Sequence, residues 1–337
     1  MHTAFIGTGW WGTELAAAAE RTNGRVVVSA GCSPIDSERV RFGQKFRCPV
    51  HGSLATVLAD RTIEAVVLAT PHSLHADQAV AAANAGKHVF VEKPLALTTA
   101  DAMSVIAECA NAGVMLAVGH NRRLLPQVKV LRDALADQIC GQTVHVEANF
   151  STPEALSFPA DHWRSSRAEC PGGGMTVLGI HVIDWMHALF GQVERVSASF
   201  SRRGIATGLD DSAAAILSFR SGLSASLVSL YAAPYTNTFV VHGTDATISV
   251  VAAGPESEAV RPTVTIRRRD GSHATTVMPY VDTLKLQLES WARACQTGSA
   301  PAVTGIEAAR NVAVLDAMVR SAAAHGAPTA PDDAAFW

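Results

Sequence analysis

The first 120 residues alternate between short apolar runs and stretches of helical periodicity. Five apolar runs predict strands, at Thr3–Ile6, Arg25–Gly31, Ala65–Ala69, His88–Val91 and Val114–Val118. We expect a six-stranded sheet in which Val114–Val118 is the last strand. Strands separated by helices of this length indicate right-handed βαβ units and a parallel sheet. We therefore expect an α/β domain at residues 1–122.

The pattern changes after Thr143, where apolar and polar residues alternate without intervening helices. Antiparallel strands are predicted at Val144–Phe150, Val193–Phe200, Ala213–Phe219, Ser224–Leu230 and Thr263–Arg267. We expect a second, α+β domain at residues 123–337, built on a large, mostly antiparallel open sheet. An apolar sheet face left bare would favour aggregation, so this sheet is expected to pair with another copy of the chain.

Composition narrows the class of protein. The 337 residues are 48% hydrophobic and 17% charged, which is typical of a well-filled globular chain long enough for two domains. The formal net charge is −3 and the basic residues form no large cluster, so nucleic-acid binding is disfavoured. The apolar stretches are shorter than the roughly 20 residues needed to cross a bilayer, and the N-terminus lacks signal-peptide features. The six cysteines form no C-x-x-C pair. Together these features predict a cytoplasmic protein without membrane contact.

A glycine motif follows the first predicted strand. Gly7, Gly9 and Gly12 form a G-x-G-x-x-G pattern between a strand and a helix, the context in which this motif binds the pyrophosphate of a dinucleotide. Trp10 and Trp11 stand inside the motif, where we expect them to pack against the sheet end; the alternative for Trp10 is that it walls the cofactor cleft. The motif makes the α/β prediction more specific: we expect a doubly wound Rossmann domain that binds NAD or NADP.

The end of the second strand bears on the choice between these two cofactors. An acidic residue that binds the ribose 2′-hydroxyl of NAD usually stands about 20 residues beyond the glycine motif. Here Ser33 occupies that region and the first carboxylate, Asp36, falls in the next helix. Ser33 and Arg39 are candidates to bind a 2′-phosphate, which favours NADP over NAD; the alternative is that Arg39 is only solvated.

Two further loops leave predicted strands at the carboxyl edge, where ligands bind in open α/β sheets. The first contains Thr70, Pro71 and His75, which we expect to face the cofactor. A metal site is disfavoured here, because no cysteine or carboxylate joins the histidines at ligand spacing. The second contains Glu92 and Lys93, since the following proline ends the strand. A local ion pair between these two residues is the alternative interpretation.

Several of these motifs together resemble one family. They are the glycine motif at residue 7, Ala69-Thr70-Pro71-His72-Ser73-Leu74-His75, Ala85-Gly86-Lys87-His88-Val89-Phe90-Val91-Glu92-Lys93-Pro94, Gly119-His120-Asn121-Arg122-Arg123 and residues 302–312. Most of the chain is thereby similar to the glucose-fructose oxidoreductase, inositol dehydrogenase and rhizopine-catabolism (Gfo/Idh/MocA) family. The resemblance implies that Lys93 contacts both substrate and nicotinamide ribose, that Glu92 and Asn121 lie in the cofactor site, and that the chain forms a homodimer or homotetramer through the C-terminal sheet.

The resemblance also implies a catalytic histidine after a glycine run. His181 follows Gly172-Gly173-Gly174 in a predicted helix, and histidine can exchange a hydroxyl proton near neutral pH. Family members usually carry an aspartate four residues earlier, where this chain has Val177. Asp184, one turn after His181, is a candidate to orient the imidazole and contact substrate.

Further substrate contacts are predicted at Trp163, Arg164 and Arg122. An arginine binds carboxylates through its bidentate fork, although Arg122 and Arg123 are equally suited to holding the domain junction together.

The expected reaction is hydride transfer between a nicotinamide and a hydroxyl or keto carbon of a sugar, cyclitol or cyclic diol. Apolar residues around Val177 favour a dihydrodiol-like ring. Two alternatives stay open: a cofactor-binding regulatory protein without turnover, and a nicotinamide-assisted lyase or hydrolase.

Overall fold

A computed structural model describes residues 1–332 and Phe336. The chain divides into two compact units, residues 1–122 with 282–312, and residues 123–281 with 313–337. None of the helices within the described residues is long and apolar enough to span a membrane.

The first unit contains a six-stranded parallel sheet flanked by helices. Its elements are β1 (His2–Ile6), α1 (Trp10–Glu20), β2 (Val27–Cys32), α2 (Asp36–Phe46), β3 (Val50–His51), α3 (Leu54–Ala59), β4 (Ala65–Leu68), α4 (His75–Asn84), β5 (His88–Glu92), α5 (Thr99–Asn111) and β6 (Leu116–Gly119). The strand order β3-β2-β1-β4-β5-β6, with every pair parallel, confirms the predicted doubly wound fold. The two-residue strand β3 was not located from the sequence, because so short a run has no periodicity.

The second unit is built on an eight-stranded sheet. Its elements are α6 (Pro126–Ala136), β7 (Thr143–Ser151), α7 (Ile180–Phe190), β8 (Val193–Ser201), β9 (Ser212–Phe219), β10 (Ser224–Leu230), β11 (Thr236–Gly243), β12 (Ala246–Ala252), β13 (Thr263–Arg268) and β14 (His273–Val277). The order is β14-β13-β12-β11-β7-β10-β9-β8, and β7 with β10 is the parallel pair among antiparallel ones. The predicted large, mostly antiparallel sheet is therefore confirmed.

Alternation of side chains explains how the second sheet packs. In β9, Ala213, Ala215, Leu217 and Phe219 point to the buried face, and the intervening residues are partly or fully exposed. Period-two alternation of this kind places one face of a sheet against a core. The sequence pattern specifies which face that is.

Residues 282–312 depart from the predicted domain boundaries. They contain α8 (Thr283–Thr297) and the start of α9 (Gly305–Ala323), and they belong to the first unit instead of a continuous 123–337 domain. Trp291 is fully buried, with its ring centroid 5.5 Å from that of Phe90 on β5. An isolated bridge also joins Ala117 to Thr304. The return is driven by packing between residues distant in sequence, which helical periodicity alone does not reveal.

Candidate functional site

The glycine motif forms a tight turn from β1 into α1. Gly7 has φ +86°, and its backbone N–H donates to the Cys32 carbonyl at 2.8 Å. A Cβ at Gly12 would lie 1.8 Å from the Gly7 carbonyl oxygen, so no larger residue fits there. Gly9 is the N-cap of α1, which has no side-chain cap. The first N–H groups of this helix therefore suit a diphosphate.

The two tryptophans of the motif have different environments. Trp10 is 69% exposed, whereas Trp11 is partly buried against the core of the first unit. Their ring centroids are 5.2 Å apart. Trp10 is thus the one available to a ligand beside the glycine turn.

A polar cluster occupies the carboxyl end of β2. Ser33 Oγ donates to Glu38 Oε2 at 2.6 Å, and Arg39 Nη1 donates to the Ser33 carbonyl at 2.6 Å. Arg39 also pairs with Asp36. The Glu38 carboxylate reaches the glycine turn, since its Oε1 lies 3.2 Å from the Cβ position of Gly9.

Sequence reasoning missed Glu38. It stands inside α2, where a carboxylate is normally solvated, and the signal that could have found it is its position five residues after Ser33, at the start of that helix. The structure brings Ser33 and Arg39 together as predicted, but adds a negative charge beside them.

The loop after β4 is held by α4. Thr70 Oγ1 donates to Gln78 Oε1 at 2.7 Å. His75 is fully buried, with Nδ1 2.7 Å from the Pro94 carbonyl and Nε2 3.1 Å from the Thr70 carbonyl. The predicted contact between His75 and the cofactor disagrees with this position, because the ring contacts backbone carbonyls inside the protein. Thr70 and the partly exposed Pro71 remain at the loop surface.

Glu92 and Lys93 stand at the end of β5, as the sequence predicts. Glu92 is buried, and its Oε2 accepts a hydrogen bond from the Lys93 backbone N–H at 3.3 Å. A Cβ on Gly119 would lie 2.5 Å from Glu92 Oε1, so this glycine makes room for the carboxylate. Lys93 is partly exposed, which leaves a cationic side chain at the ligand edge of the sheet.

The segment after β6 contacts α8 and α9. Asn121 Nδ2 donates to Thr283 Oγ1 at 2.9 Å, and His120 Nε2 lies 3.4 Å from Asn311 Nδ2. Arg122 is partly exposed. The Asn121 amide thus has a protein partner, and its role in the cofactor site stays a prediction.

In the second unit His181 stands near the start of α7. A π-helical turn, Met175–Gly179, runs directly into this helix. Gly173 lets the backbone before this turn pass close to Asp210, because its φ is +53° and an added Cβ would lie 1.7 Å from the Asp210 carbonyl oxygen. His181 is 7% exposed, as is Val177. Single π turns inside α-helices are frequent at functional sites.

Asp184 forms a bidentate ion pair that the sequence did not predict. Arg123 Nε lies 2.7 Å from Asp184 Oδ2, and Arg123 Nη2 lies 2.6 Å from Oδ1. The side chains are 9% and 1% exposed. Direct substrate contact by Asp184 therefore disagrees with its burial. Arg122 and Arg123 are indistinguishable by sequence, so only the structure identifies the partner.

Trp163 and Arg164 belong to an aromatic stack. The Arg164 guanidinium carbon lies 4.3 Å from the Trp163 ring centroid, and the His162 ring stacks on Phe158 with centroids 4.8 Å apart. Desolvation lowers the pKa of His162, and the charge of Arg164 lowers it further. The His162 imidazole is thus harder to protonate than a free imidazole, and the Arg164 guanidinium is the cationic group of the stack.

A possible metal site would be a cluster of ligand-type side chains. Within residues 1–332 and Phe336, no group of three or more histidine, cysteine, aspartate or glutamate side chains is placed to hold an ion.

Two family models match this chain. One, described as an oxidoreductase family with an NAD-binding Rossmann fold, matches residues 1–120, and the GFO/IDH/MocA C-terminal domain matches residues 128–249. The chain belongs to the Gfo/Idh/MocA oxidoreductase family. The resemblance drawn from the motifs is confirmed, and the protein is an NAD(P)-dependent oxidoreductase.

Similar proteins include several that act on sugars. The chain is 28% identical to 1,5-anhydro-D-fructose reductase of Ensifer adhaerens, over 80% of this chain and 81% of the relative. It is 29% identical to D-xylose 1-dehydrogenase (NADP(+)) 2 of Haloferax volcanii, over 81% and 82%. The structure of levoglucosan dehydrogenase in complex with NADH and levoglucosan has the same fold, with a TM-score of 0.87 at 20% identity, over 98% of this chain and 99% of that one.

Proposed function

We propose that this protein transfers hydride between NADP and a CH–OH or C=O carbon of a carbohydrate, with Lys93 and His181 as its catalytic residues. The observation that carries the proposal is the partly exposed Lys93 at the carboxyl end of β5, in the same parallel sheet as the glycine turn after β1. The bound nicotinamide supplies or accepts the hydride. Lys93 hydrogen-bonds the reacting oxygen and stabilises its negative charge. His181 accepts the hydroxyl proton in oxidation and returns it in reduction.

Turnover of a substrate panel with NADP tests these roles. Sugars, anhydro sugars, inositols and dihydrodiols would be followed by absorbance of the reduced nicotinamide. We expect Lys93→Met and His181→Asn to lower kcat by about 10²–10⁴-fold, the usual contribution of a positioned proton-transfer group. Lys129→Met is the matched control, because Lys129 is 77% exposed on α6. Full activity in Lys93→Met would refute the assignment, and tight cofactor binding without turnover of any substrate would favour the regulatory alternative.

A carbohydrate is favoured over a dihydrodiol because of where the apolar residues near His181 lie. Met175 and Trp185 are buried in the core of the second unit, and the Trp185 ring packs edge-on against Phe239. Both side chains therefore belong to the core of the second unit. Two relatives that match over 80% and 81% of this chain are named as sugar enzymes, whereas three trans-1,2-dihydrobenzene-1,2-diol dehydrogenases match over 60–62% of it. Faster turnover of dihydrodiols than of any sugar in the panel would contradict this choice.

NADP is favoured over NAD by the cluster at β2. Arg39 donates to the Ser33 carbonyl at the end of β2, the strand end near which the ribose of a dinucleotide is normally bound, and this position supports the proposal that Arg39 binds a 2′-phosphate. We expect Arg39→Gln to weaken NADPH binding at least tenfold and to leave NADH binding unchanged. Arg41→Gln, an exposed change on the same helix, is the control. The Glu38 carboxylate repels a phosphate, so Glu38→Gln should strengthen NADPH binding. Equal losses for both nucleotides in Arg39→Gln would refute this reading.

Self-association and location complete the proposal. The outward face of the eight-stranded sheet carries exposed apolar residues, including Ile216 and Val251, and is proposed to form the homodimer or homotetramer. Light scattering after gel filtration should show Ile216→Asp shifted toward the monomer; a wild-type monomer would exclude this role.

The cytoplasmic location is proposed from the six cysteines, all of which are free thiols.

A further inference from the structure

His75 connects the two loops that leave β4 and β5 at the ligand edge. Its Nδ1 lies 2.7 Å from the carbonyl of Pro94, the residue that follows Lys93, and its Nε2 lies 3.1 Å from the carbonyl of Thr70. The ring is fully buried and packs edge-on against His72, with centroids 5.8 Å apart. A residue predicted to touch the cofactor is instead enclosed behind the lysine.

The chemistry of this contact requires a ring nitrogen. A backbone carbonyl only accepts hydrogen bonds, so a hydrogen bond to the Pro94 carbonyl requires a proton on Nδ1 of His75, and the longer contact with the Thr70 carbonyl is a hydrogen bond only when Nε2 also carries a proton. A buried carbonyl without a donor would cost about 1–3 kcal/mol. No aliphatic or phenyl side chain can supply this N–H, although either could fill much of the same space.

The bond to Pro94 is placed to fix Lys93 from its C-terminal side. On the other side, the Lys93 N–H donates to the buried Glu92 carboxylate. The lysine backbone is thus held at both ends, by a carboxylate within β5 and by a side chain from the N-terminus of α4. The same helix holds Thr70 through Gln78, so α4 sets the positions of both loops together.

We propose that His75 is a positioning residue that holds the Lys93–Pro94 turn by donating Nδ1–H to the Pro94 carbonyl. This inference rests on the proposed function for the catalytic role of Lys93. It assigns His75 to the support of the lysine and not to cofactor contact. A displacement of a catalytic group by about 1 Å can cost about 10²-fold in rate, which is the effect expected when this bond is lost.

Three variants test the proposal in the full-length protein. His75→Phe keeps a planar ring without an N–H donor, His75→Gln restores an amide N–H, and Asp77→Asn is an exposed control on the same helix turn. We expect His75→Phe to lower kcat about 10²-fold with the NADPH dissociation constant unchanged, and His75→Gln to recover much of that loss. Unchanged kcat in a folded His75→Phe variant, or weaker NADPH binding with kcat retained, would overturn the proposal.

A double-variant cycle shows whether His75 acts through Lys93. In a Lys93→Met background His75→Phe should lower kcat no further, because residues acting as a unit are not additive. An equal further loss would overturn the positioning role. If Lys93→Met itself keeps full activity, the proposed function fails, and the state of His75 is still decided by spectroscopy.

Nitrogen NMR of ¹⁵N-histidine-labelled protein provides that measurement without a substrate. The resonances of His75 are assigned by their disappearance in His75→Phe or, if that variant does not fold, in His75→Gln. We expect Nδ1 to carry a proton at neutral pH. A bare Nδ1 would overturn the proposal whatever the activities show.

Discussion

Removing Arg123 should destabilise the second unit strongly. Its guanidinium holds both oxygens of Asp184, at 2.7 and 2.6 Å, and the two side chains are 9% and 1% exposed. In Arg123→Met the aliphatic part of the side chain is retained while the carboxylate loses its cationic partner. Because Asp184 is enclosed, water cannot replace the guanidinium without rearrangement of the surrounding helices.

The size of the expected loss in unfolding free energy follows from the burial of the Arg123–Asp184 pair. Removing one partner of a buried ion pair costs about 3–5 kcal/mol, whereas replacing both with apolar residues is often close to neutral. In a unit of this size each kcal/mol lowers Tm by about 2–4 °C. Arg123→Met should therefore lower Tm by about 10 °C, and the double variant Arg123→Met/Asp184→Leu should recover most of that loss.

Calorimetry and urea titration at pH 7 measure both effects. The control is Lys129→Met, which breaks an exposed pair with Asp133 on α6 and should change stability by about 0.3–0.5 kcal/mol. A loss below about 1 kcal/mol in Arg123→Met would refute the reasoning, since that is the value of a solvent-exposed pair. A double variant as unstable as the single one would show that packing, not charge, is responsible.

Three further changes have expected outcomes. Trp291→Ala should lower the free energy of unfolding of the first unit by about 3–5 kcal/mol in urea titrations, because the indole is fully buried there; an effect on the second unit alone would contradict the assignment of α8. Burial raises the pKa of the Cys109 thiol from 9.0 to about 11, so the folded state keeps this proton at pH values where the unfolded state loses it. The free energy of unfolding should then decline as pH rises above about 9, and more weakly in Cys109→Ala; identical slopes would contradict this. Gly12→Ala should abolish NADPH binding in calorimetric titrations, because its Cβ would lie 1.8 Å from the Gly7 carbonyl, while Gly208→Ala, with open space around it, should bind normally.

Local patterns in the sequence were sufficient to predict the doubly wound fold of the first 122 residues, apart from the two-residue strand β3. Apolar runs, glycine turns and caps act between residues close in sequence, as at Thr98, the N-cap of α5, whose side chain accepts from Asp101 N–H at 3.1 Å. The return of residues 282–312 to the first unit depends instead on Trp291 meeting Phe90. An amphipathic helix pattern shows that a face is buried but not which core buries it.

Local patterns in the sequence likewise predicted the positions of some site residues but not the contacts of others. Gly7, Gly12 and Lys93 occupy positions dictated by their own strand ends, and the structure puts each at the expected edge. His75 and Asp184 were expected to contact ligands, yet both are buried against protein partners. Polar residues near a strand end or helix start have the same appearance in sequence whether they face a ligand or support a residue that does.

Glu92, His75 and Asp184 share a physical property that separates them from the partly exposed Lys93. Glu92, His75 and Asp184 are each at most 5% exposed, and each holds a backbone or side-chain group through hydrogen bonds made inside the protein. A low-dielectric environment strengthens such bonds and makes their loss costly. Substitution of a supporting residue should therefore lower stability and activity together, whereas substitution of the partly exposed Lys93 should lower activity at nearly constant Tm. The ratio of these two effects, measured residue by residue, distinguishes a group that contacts the substrate from one that positions it.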